Sequence, residues 1–268
     1  FMKNIKYFFQ FLFILILFFL FKIMGYKNAS NFGSNIGKKL GKIIRSNKII
    51  LKNLNIIKEN SELKIDNEEK LVDDVFSNYG RILSDYVFLN KFKDGSLKKY
   101  VNIIGNNYLE DIKSKNKKVV FVSGHFNNFE LMAMHLEKSG IDLVAIYRPL
   151  NNIFLNPIME YIRKSYICKK QVKKGISGTK QLLKFFKNGT SIALMIDQRV
   201  SEGVYSKFFN KNALTTTIPA QFVKKFNAKI VPIYIERNPE NKFTIEINKS
   251  IEFSNNETLD TITLKLNE

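Results

Sequence analysis

Length, composition and charge narrow the class of this protein. The 268 residues, 45% hydrophobic and 25% charged, suffice for one sizeable α/β domain and exclude a disordered or fibrous chain. The single cysteine, Cys168, excludes a disulfide framework, and with only two histidines no metal site is predicted. The net charge of +19 calls for a polyanionic partner, which is nucleic acid, anionic lipid or an acidic carrier protein.

The first element is an apolar segment, Tyr7 to Met24, whose strongly polar members are Gln10 and Lys22. Its length is close to that needed to cross the hydrocarbon core of a bilayer. A signal peptide is the alternative, but no small-residue cleavage site follows and the apolar run is long for such a peptide. We therefore expect residues 1–26 to form a transmembrane anchor.

Residues 27–58 are rich in lysine and contain no acid before Glu59. Positive charge downstream of the apolar segment indicates the cytoplasmic side. Apolar residues such as Ile36, Leu40 and Ile43 recur among the lysines, which is typical of an amphipathic helix on an anionic leaflet or of an ordinary surface helix with extended lysine side chains. Residues 27–58 are thus predicted to be a basic, amphipathic, membrane-proximal segment, with these two placements as alternatives.

Residues 59–117 are mixed in charge and show mostly helical spacing of apolar residues, from Leu71 to Tyr86 and from Tyr100 to Ile112. We expect this segment to pack against a central sheet, with some of its aromatic side chains lining an apolar groove.

A histidine and a glutamate follow the next apolar run. Val119 to Val122 predicts a buried strand that ends in a tight turn and presents His125, and the apolar spacing after Glu130 predicts a helix whose first turn carries this acid. A nearby carboxylate fixes the imidazole tautomer and stabilises the imidazolium, so that the other ring nitrogen acts as general base on an alcohol. Taken alone, the spacing favours a turn histidine and a solvated helix charge.

The flanking residues favour the catalytic interpretation. The sequence GHFNNFE resembles the H-x4-D/E box of membrane glycerolipid and lipid A acyltransferases, and SGHFNNFELMA is most similar to the lauroyl and myristoyl acyltransferases of lipid A biosynthesis. That family more often has glycine at the position of Asn127 and tryptophan at that of Phe129. The resemblance implies that His125 and Glu130 are catalytic, and Asn128 within the box is a candidate substrate-binding residue.

A second strand is predicted at Ile141 to Ile146, followed at once by Arg148. A cation at the end of a strand beside the histidine strand suits a developing acyl oxyanion, although the spacing alone favours a structural arginine. The residues YRPLNN, followed by Arg163, resemble the second block of the same family. The resemblance implies that Arg148 positions the reacting acyl group or phosphate, and it makes Asn151 and Arg163 candidate substrate-binding residues.

Two further segments are candidates for substrate binding. Lys173 and Lys174 lie in a basic turn before a helix predicted to open near Thr179, where backbone N–H groups are able to bind phosphate; a solvated basic helix is the alternative. Asp197 and Gln198 follow a third strand, 191–196. Because open α/β sheets bind ligands beyond the carboxyl ends of their strands, we expect these residues at the same edge as His125.

The remaining sequence completes a sheet. The segment from Gly203 through a Thr-rich run to Pro219 resembles later blocks of the family, and residues 230–235 and 243–247 are predicted strands. The predicted fold class is α/β, with a mixed central sheet flanked by helices as in glycerolipid acyltransferases and an N-terminal transmembrane helix. Residues 59–268 form the predicted catalytic domain, which we expect to be incomplete at its C-terminus because the family continues further.

The predicted function is transfer of a fatty acyl group from acyl carrier protein to a hydroxyl of a lipid A precursor, with His125 as general base, Glu130 as its partner and no cofactor beyond the donor thioester. Alternatives are a glycerophospholipid, aminolipid or glycolipid acceptor. From another class comes a membrane-tethered nucleic-acid-binding protein, which no RNP-type or zinc-finger spacing supports. The expected partners are acyl carrier protein, a lipid acceptor and an anionic membrane, without nucleic acid. The expected location is the bacterial inner membrane, with the catalytic domain facing the cytoplasm.

Overall fold

The computed structural model describes residues 2–198 and 200–268; Phe1, at the start of the predicted anchor, and Arg199 lie outside the described residues. The α-helices of the described residues are, in chain order, α1 (Met2–Met24), α2 (Tyr26–Ile44), α3 (Lys48–Asn60), α4 (Glu68–Asp85), α5 (Leu89–Asp94), α6 (Asn106–Ser114), α7 (Glu130–Lys138), α8 (Asn156–Ile162), α9 (Ile176–Lys187), α10 (Ile218–Phe226) and α11 (Leu259–Asn267). Short 3-10 turns cover Tyr86–Phe88 and Lys98–Tyr100, and a π-helical turn covers Arg163–Ile167.

The strands form one large sheet and one hairpin. They are β1 (Val101–Ile104), β2 (Val120–Ser123), β3 (Leu143–Tyr147), β4 (Lys170–Lys173), β5 (Ser191–Met195), β6 (Val204–Phe208), β7 (Lys211–Thr215), β8 (Ile230–Arg237) and β9 (Phe243–Ile247). The seven-stranded sheet has the order β1-β9-β8-β2-β5-β3-β4, while β6 and β7 form the hairpin. Only the β8–β9 pair of this sheet is antiparallel within the described residues. The predicted mixed sheet flanked by helices is confirmed.

The topology brings four strand ends together. Strands β2, β5, β3 and β4 are neighbours and parallel, so their carboxyl ends lie at one edge of the sheet. His125 follows β2, Arg148 follows β3, Lys174 follows β4 and Asp197 follows β5. Residues far apart in sequence thereby meet at a single edge, the usual place for a ligand in an open α/β sheet.

The core is split between the two faces of the sheet. Along β2, Phe121 packs into one hydrophobic cluster, while Val120 and Val122 pack into the other. A strand buried on both faces needs apolar residues at successive positions, which explains the unbroken run in β2.

The N-terminal helices differ in how they pack. By length and composition, α1 is a candidate membrane span. Helix α2 lies tightly against α4, because a Cβ on Gly37 would come within 2.2 Å of the Phe76 carbonyl oxygen. The side chains of α3 are all at least partly exposed. The segment 27–58 thus contains one helix docked on the fold and one helix on its surface.

One element differs from the sequence-based expectation. The helical pattern predicted from Tyr100 to Ile112 is interrupted, because residues 101–104 form the edge strand β1, which pairs with β9. Gly105, at a φ of 81°, then turns the chain into α6. Pairing with β9 outweighs the local helical spacing, and the β-branched residues Val101, Ile103 and Ile104 favour the extended conformation.

Candidate active site

The loop between β2 and α7 carries the H-x4-E residues in a tight conformation. A Cβ on Gly124 would lie 2.9 Å from the Phe126 ring and 3.3 Å from Asp197 Oδ2, so a side chain at this position would require the Phe126 ring to move. Asn127 has a φ of 39°, on the positive side that favours glycine and, among other residues, asparagine. The glycine typical of this position and the asparagine found here therefore meet the same backbone requirement. Helix α7 begins at Glu130, as predicted.

His125 contacts Asp197 at two points. Its Nδ1 atom lies 2.7 Å from Asp197 Oδ1, and its backbone N–H donates to Asp197 Oδ2 at 2.8 Å. Burial would raise the pKa of the Asp197 carboxyl, but the hydrogen bonds from His125 outweigh burial and hold that pKa below its usual value. Asp197 is therefore ionised at neutral pH and accepts a hydrogen bond from the Nδ1–H group of His125.

Gln198 contacts the opposite ring nitrogen. Its Nε2 amide lies 3.2 Å from His125 Nε2. Because a carboxylate only accepts, we assign the proton to Nδ1, which leaves the lone pair on Nε2 to accept from Gln198. An alcohol that displaces the Gln198 amide would meet this lone pair, as a general base requires.

Glu130 has a different set of partners. Its Oε1 atom accepts hydrogen bonds from the Tyr86 hydroxyl and, at 2.9 Å, from Arg163 Nε. Arg163 Nη2 also donates to the Tyr86 oxygen at 3.0 Å. The predicted pairing of Glu130 with His125 is thus replaced by an Asp197–His125 pair, because Glu130 at the start of α7 is buried against Tyr86 and Arg163.

The Glu130 cluster keeps its members in defined protonation states. Burial alone would lower the pKa of Arg163, but the charge of Glu130 raises it. Burial and the same charge raise the pKa of Tyr86 well above its usual value. Arg163 is therefore a cation that neutralises Glu130, and Tyr86 is a neutral donor.

Asn128 also has a structural position. It is 1% exposed, and its Nδ2 amide donates to Asp85 Oδ2 at 3.0 Å. Asp85 is itself fully buried and forms an ion pair with Arg237 of β8. The substrate-binding role predicted for Asn128 does not fit this burial. Asn128 instead ties the loop to α4 and, through Asp85, to the sheet.

The sequence analysis missed the two residues that hold this loop. Asp85 ends α4 and Tyr86 follows it, so adjacent residues bind Asn128 and Glu130. The available signal was an acid followed by a tyrosine at the end of an amphipathic helix, on whose buried face an ion is costly unless it is paired. Their partners lie 43 and 44 residues away, so local spacing did not reveal the contacts.

A cavity of about 890 Å³ lies beside His125. Predicted site residues that line it are His125, Glu130, Arg148, Asn151, Arg163, Lys174 and Gln198. Lys173, Asn128 and Asp197 lie outside this lining in the described part of the chain. The cavity is large enough for the ligands that enzymes commonly bind.

Where the cavity lies over the sheet, it is lined by small residues. Ala193 of β5 and Ala145 of β3 lie side by side in one cross-strand row. Gln171 of β4 is the next residue of this row. Ala133 of α7 and Ile167 line the same cavity. The small side chains of Ala145 and Ala193 leave space in the cavity above the sheet.

Where the cavity meets solvent, its lining is basic. Arg148, Lys174 and Lys180 are exposed cations that line it, and Asn151 lies beside them in the lining. The helix start is at Ile176, three residues before the predicted opening near Thr179, and both residues line the cavity. The cavity therefore combines a region lined by Ala133, Ala145, Ala193 and Ile167 with a basic rim.

The single thiol does not suit nucleophilic chemistry. Cys168 lines the cavity, but burial raises the pKa of its thiol to about 12. The thiol is therefore protonated at neutral pH and a weak nucleophile. Among residues 2–198 and 200–268, no group of three or more His, Cys, Asp or Glu side chains is placed to hold a metal ion.

Comparisons with known proteins identify the family. A comparison with curated proteins finds no match. The profile of the family described as bacterial lipid A biosynthesis acyltransferase matches residues 2–268. This match spans the loop of His125, the strand ends and the cavity. The chain therefore belongs to the bacterial lipid A biosynthesis acyltransferase family and is an acyltransferase of lipopolysaccharide synthesis.

Proposed function

We propose that this enzyme transfers a fatty acyl group from acyl carrier protein to a hydroxyl of a lipid A precursor, with His125 as general base. The observation that carries this proposal is the His125–Asp197 contact of 2.7 Å, with the other ring nitrogen directed at Gln198 of the cavity lining. Acyl transfer to an alcohol needs a base at this point, and an imidazole held by a carboxylate is a common solution.

The reaction follows from this arrangement. His125 Nε2 takes the proton of the acceptor hydroxyl while the hydroxyl oxygen attacks the thioester carbonyl carbon. The tetrahedral intermediate collapses, the carbon–sulfur bond breaks, and the imidazolium returns the proton to the leaving thiolate. Asp197 accepts the hydrogen bond from Nδ1–H throughout and stabilises the imidazolium when it forms. The step uses no acyl-enzyme and no cofactor beyond the donor thioester.

Arg148 is the proposed partner of the developing oxyanion. It is exposed, lines the cavity and follows β3, at the sheet edge where His125 also lies. A fixed cation beside a developing negative charge lowers the barrier more than it stabilises the neutral thioester. Arg163 acts indirectly in this proposal, because its charge is already neutralised by Glu130.

The acyl chain is proposed to lie over the alanine row. Ala145 and Ala193 present methyl groups to the cavity, and Met195 and Phe129 line it nearer the end of the strands and the loop. Burial of each methylene of the chain there contributes about 0.8 kcal/mol. This places the thioester carbonyl toward His125 and the chain toward Gln171.

The basic rim is proposed to bind the anionic partners. Lys174 and Lys180 suit the phosphates of a lipid acceptor, and the net charge of +19 suits an acidic carrier protein. Asn151, beside Arg148, is the proposed polar contact to the acceptor sugar. The proposed location is the inner membrane, with the catalytic domain on the cytoplasmic side.

Other acceptors are the competing proposal. Glycerophospholipid, aminolipid and glycolipid acceptors need the same base and differ in a few pocket contacts. The lipid A family match favours the lipid A precursor. A nucleic-acid partner is disfavoured because the cavity and the family match both point to acyl transfer.

The test is product identification by mass spectrometry. Membranes containing the protein are incubated with acyl carrier protein thioesters and, in parallel, with the matching coenzyme A thioesters. Each donor is offered a lipid A precursor, a glycerophospholipid or an aminolipid. We expect acylated lipid A precursor from the carrier-protein donor and its loss in His125→Ala. Acylation confined to another acceptor, or equal use of coenzyme A, would contradict the proposal.

A further inference from the structure

The turn between α2 and α3 exposes large apolar side chains. Ile43 and Ile44 end α2, and Ile49 lies in the first turn of α3. Their exposed fractions are 80%, 78% and 63%. We call residues 43–49 the α2–α3 corner. Single exposed apolar residues are common on protein surfaces, whereas a group of them rimmed by polar residues marks a contact with a membrane or with another protein.

The fold holds the corner in place. Helix α2 stays close to α4 up to its last turn, because a Cβ on Gly41 would clash with the Phe76 ring. Beyond the corner, Lys58 in the last turn of α3 forms an ion pair with Glu68 at the start of α4. Both helices that flank the corner are therefore tied to α4, and the isoleucines project from a fixed position.

Cations surround the corner. Residues 25–58 contain no aspartate or glutamate. Lys42 pairs with Glu69 and Asp73 of α4. In the described part of the chain, the other cations around the corner have no carboxylate oxygen within 4.0 Å: Lys38, Lys39, Arg45, Lys48 and Lys52. Unpaired cations beside exposed isoleucines fit a lipid surface with anionic headgroups.

The position of the corner favours a membrane over a protein partner. Only Gly25 separates α2 from α1, the candidate membrane span. Helix α2 has 19 residues, so the corner lies within about 28 Å of the end of α1. A surface tethered this closely meets the membrane at a high effective concentration. A second copy of the chain fits less well, because it would bring two sets of unpaired cations together.

We propose that the α2–α3 corner inserts its isoleucines into the boundary between headgroups and acyl chains of an anionic leaflet, with the neighbouring cations on lipid phosphates. The corner then provides a membrane contact in addition to α1. Two contacts fix the orientation of the domain relative to the leaflet, which one helix alone does not. This inference does not rest on the proposed function.

Tryptophan fluorescence tests the insertion. The chain has no tryptophan, so Ile44→Trp and Ile49→Trp report the corner without background. Each full-length variant is reconstituted into vesicles of brominated phosphatidylcholine, with or without phosphatidylglycerol. We expect blue-shifted emission and quenching by bromine when phosphatidylglycerol is present, and much less without it. The readout is local, so attachment of the chain through α1 does not produce it.

The positional control is Lys225→Trp. Lys225 is exposed on α10, which packs on the opposite face of the sheet from α2. We expect its emission to remain that of a tryptophan in water, without quenching, in both kinds of vesicle.

Charge variants test the role of the cations. Each lysine at an anionic surface contributes about fivefold to binding, so Lys39→Gln with Lys48→Gln is expected to shift the ratio of inserted to free corner about 25-fold. The fractions of quenched and unquenched Ile44→Trp measure this ratio. The matched pair Lys184→Gln and Lys187→Gln, exposed on α9, is expected to leave it unchanged.

Three results would overturn the proposal. Tryptophans at both corner positions that emit as in water and react with acrylamide in every vesicle would exclude insertion. Tryptophans shielded from acrylamide but not quenched by bromine would mean that a second copy covers the corner. Equal quenching with and without phosphatidylglycerol would remove the requirement for anionic lipid. All these readouts are independent of acyl transfer, so failure of the proposed activity leaves them intact.

Discussion

The Nδ1 atom of His125 lies 2.7 Å from Oδ1 of Asp197, a residue 72 positions further along the chain. Strands β2 and β5 are adjacent and parallel, and this pairing is what brings the two residues together at the sheet edge. We expect His125→Ala and Asp197→Asn to fold and bind membranes normally, yet to lose at least about 100-fold in kcat, the lower end for general-base contributions. A wild-type rate for Asp197→Asn would contradict the assignment.

Glu130 is expected to act on the position of the loop and on stability. Replacing it with Gln leaves Arg163 without its buried counter-charge and weakens the bond to Tyr86. We expect Glu130→Gln to lower the free energy of unfolding by about 1–3 kcal/mol, measured by denaturant or thermal unfolding in detergent. Asp197→Asn is the comparison, because Asp197 is 35% exposed and the weakening of its hydrogen bonds to His125 is expected to lower the free energy of unfolding by a smaller amount. Equal stability of the two variants would contradict a positioning role for Glu130.

The alanine row is expected to set acyl chain length. Ala145→Leu adds bulk to the centre of the row between Ala193 and Gln171. We expect the preference for the longer of two neighbouring chain lengths to fall at least about tenfold, as for one methylene in a fitted pocket. Competition between two acyl thioesters, with products resolved by mass, measures this ratio.

Val144 provides the matched control for Ala145. It is the preceding residue of β3 and packs on the other face of the sheet. Val144→Ala is expected to lower stability without changing the chain-length ratio. An altered ratio in Val144→Ala, or an unchanged ratio in Ala145→Leu, would place the acyl chain elsewhere.

The basic rim is expected to bind acceptor phosphate. Lys174 and Lys180 line the cavity, and the neighbouring Lys173 does not. We expect Lys174→Ala and Lys180→Ala each to raise KM for a phosphorylated acceptor severalfold, corresponding to about 1 kcal/mol for an exposed charge pair, with little change in kcat. Lys173→Ala is the control and is expected to be nearly silent. Equal effects with a dephosphorylated acceptor would show that these lysines do not bind phosphate.

His135 is expected to affect stability at acid pH and not catalysis. Burial, with a smaller effect from Lys138, lowers its pKa from 6.5 to about 4. The unfolded chain therefore binds more protons between these values, so stability is retained above pH 6.5 and falls as the pH drops toward 4. Between pH 6.5 and pH values below 4, the free energy of unfolding is expected to fall by on the order of 3 kcal/mol because of His135.

Unfolding of wild type and His135→Gln across this pH range checks the prediction. The variant is expected to lose this part of the pH dependence while its rate at neutral pH stays close to wild type. An unchanged pH slope would contradict the assignment, as would an inactive His135→Gln.

The sheet edge is predictable from sequence, because apolar runs mark the strands and parallel strands bring their ends together. This reasoning is sufficient to place Arg148 and Asp197 at the same sheet edge as His125. It does not give the partner of His125, because sequence spacing favours the near Glu130 over the distant Asp197. The actual choice depends on the pairing of β2 with β5 and on the burial of Glu130 against Tyr86.

The end of α4 shows the limit of local patterns most clearly. Asp85 and Tyr86 bind loop residues that lie 43 and 44 positions further along the chain. The spacing of apolar residues before Asp85 indicates only a helix. The edge strand β1 is similar, since its four residues form a strand by pairing with β9, more than 100 positions away. Long-range pairing determines these features, and a single sequence carries little sign of it.

A double-mutant cycle on His125 and Asp197 is the most direct measurement. Single-turnover rates of His125→Ala, Asp197→Asn and the double variant are compared with wild type, using acyl carrier protein thioester and lipid A precursor. If Asp197 acts only through the imidazole, the double variant is no slower than His125→Ala alone. Losses that multiply, with the double variant slower than His125→Ala by the full factor seen for Asp197→Asn, would show that the two residues act independently and that Asp197 is not the partner of the base.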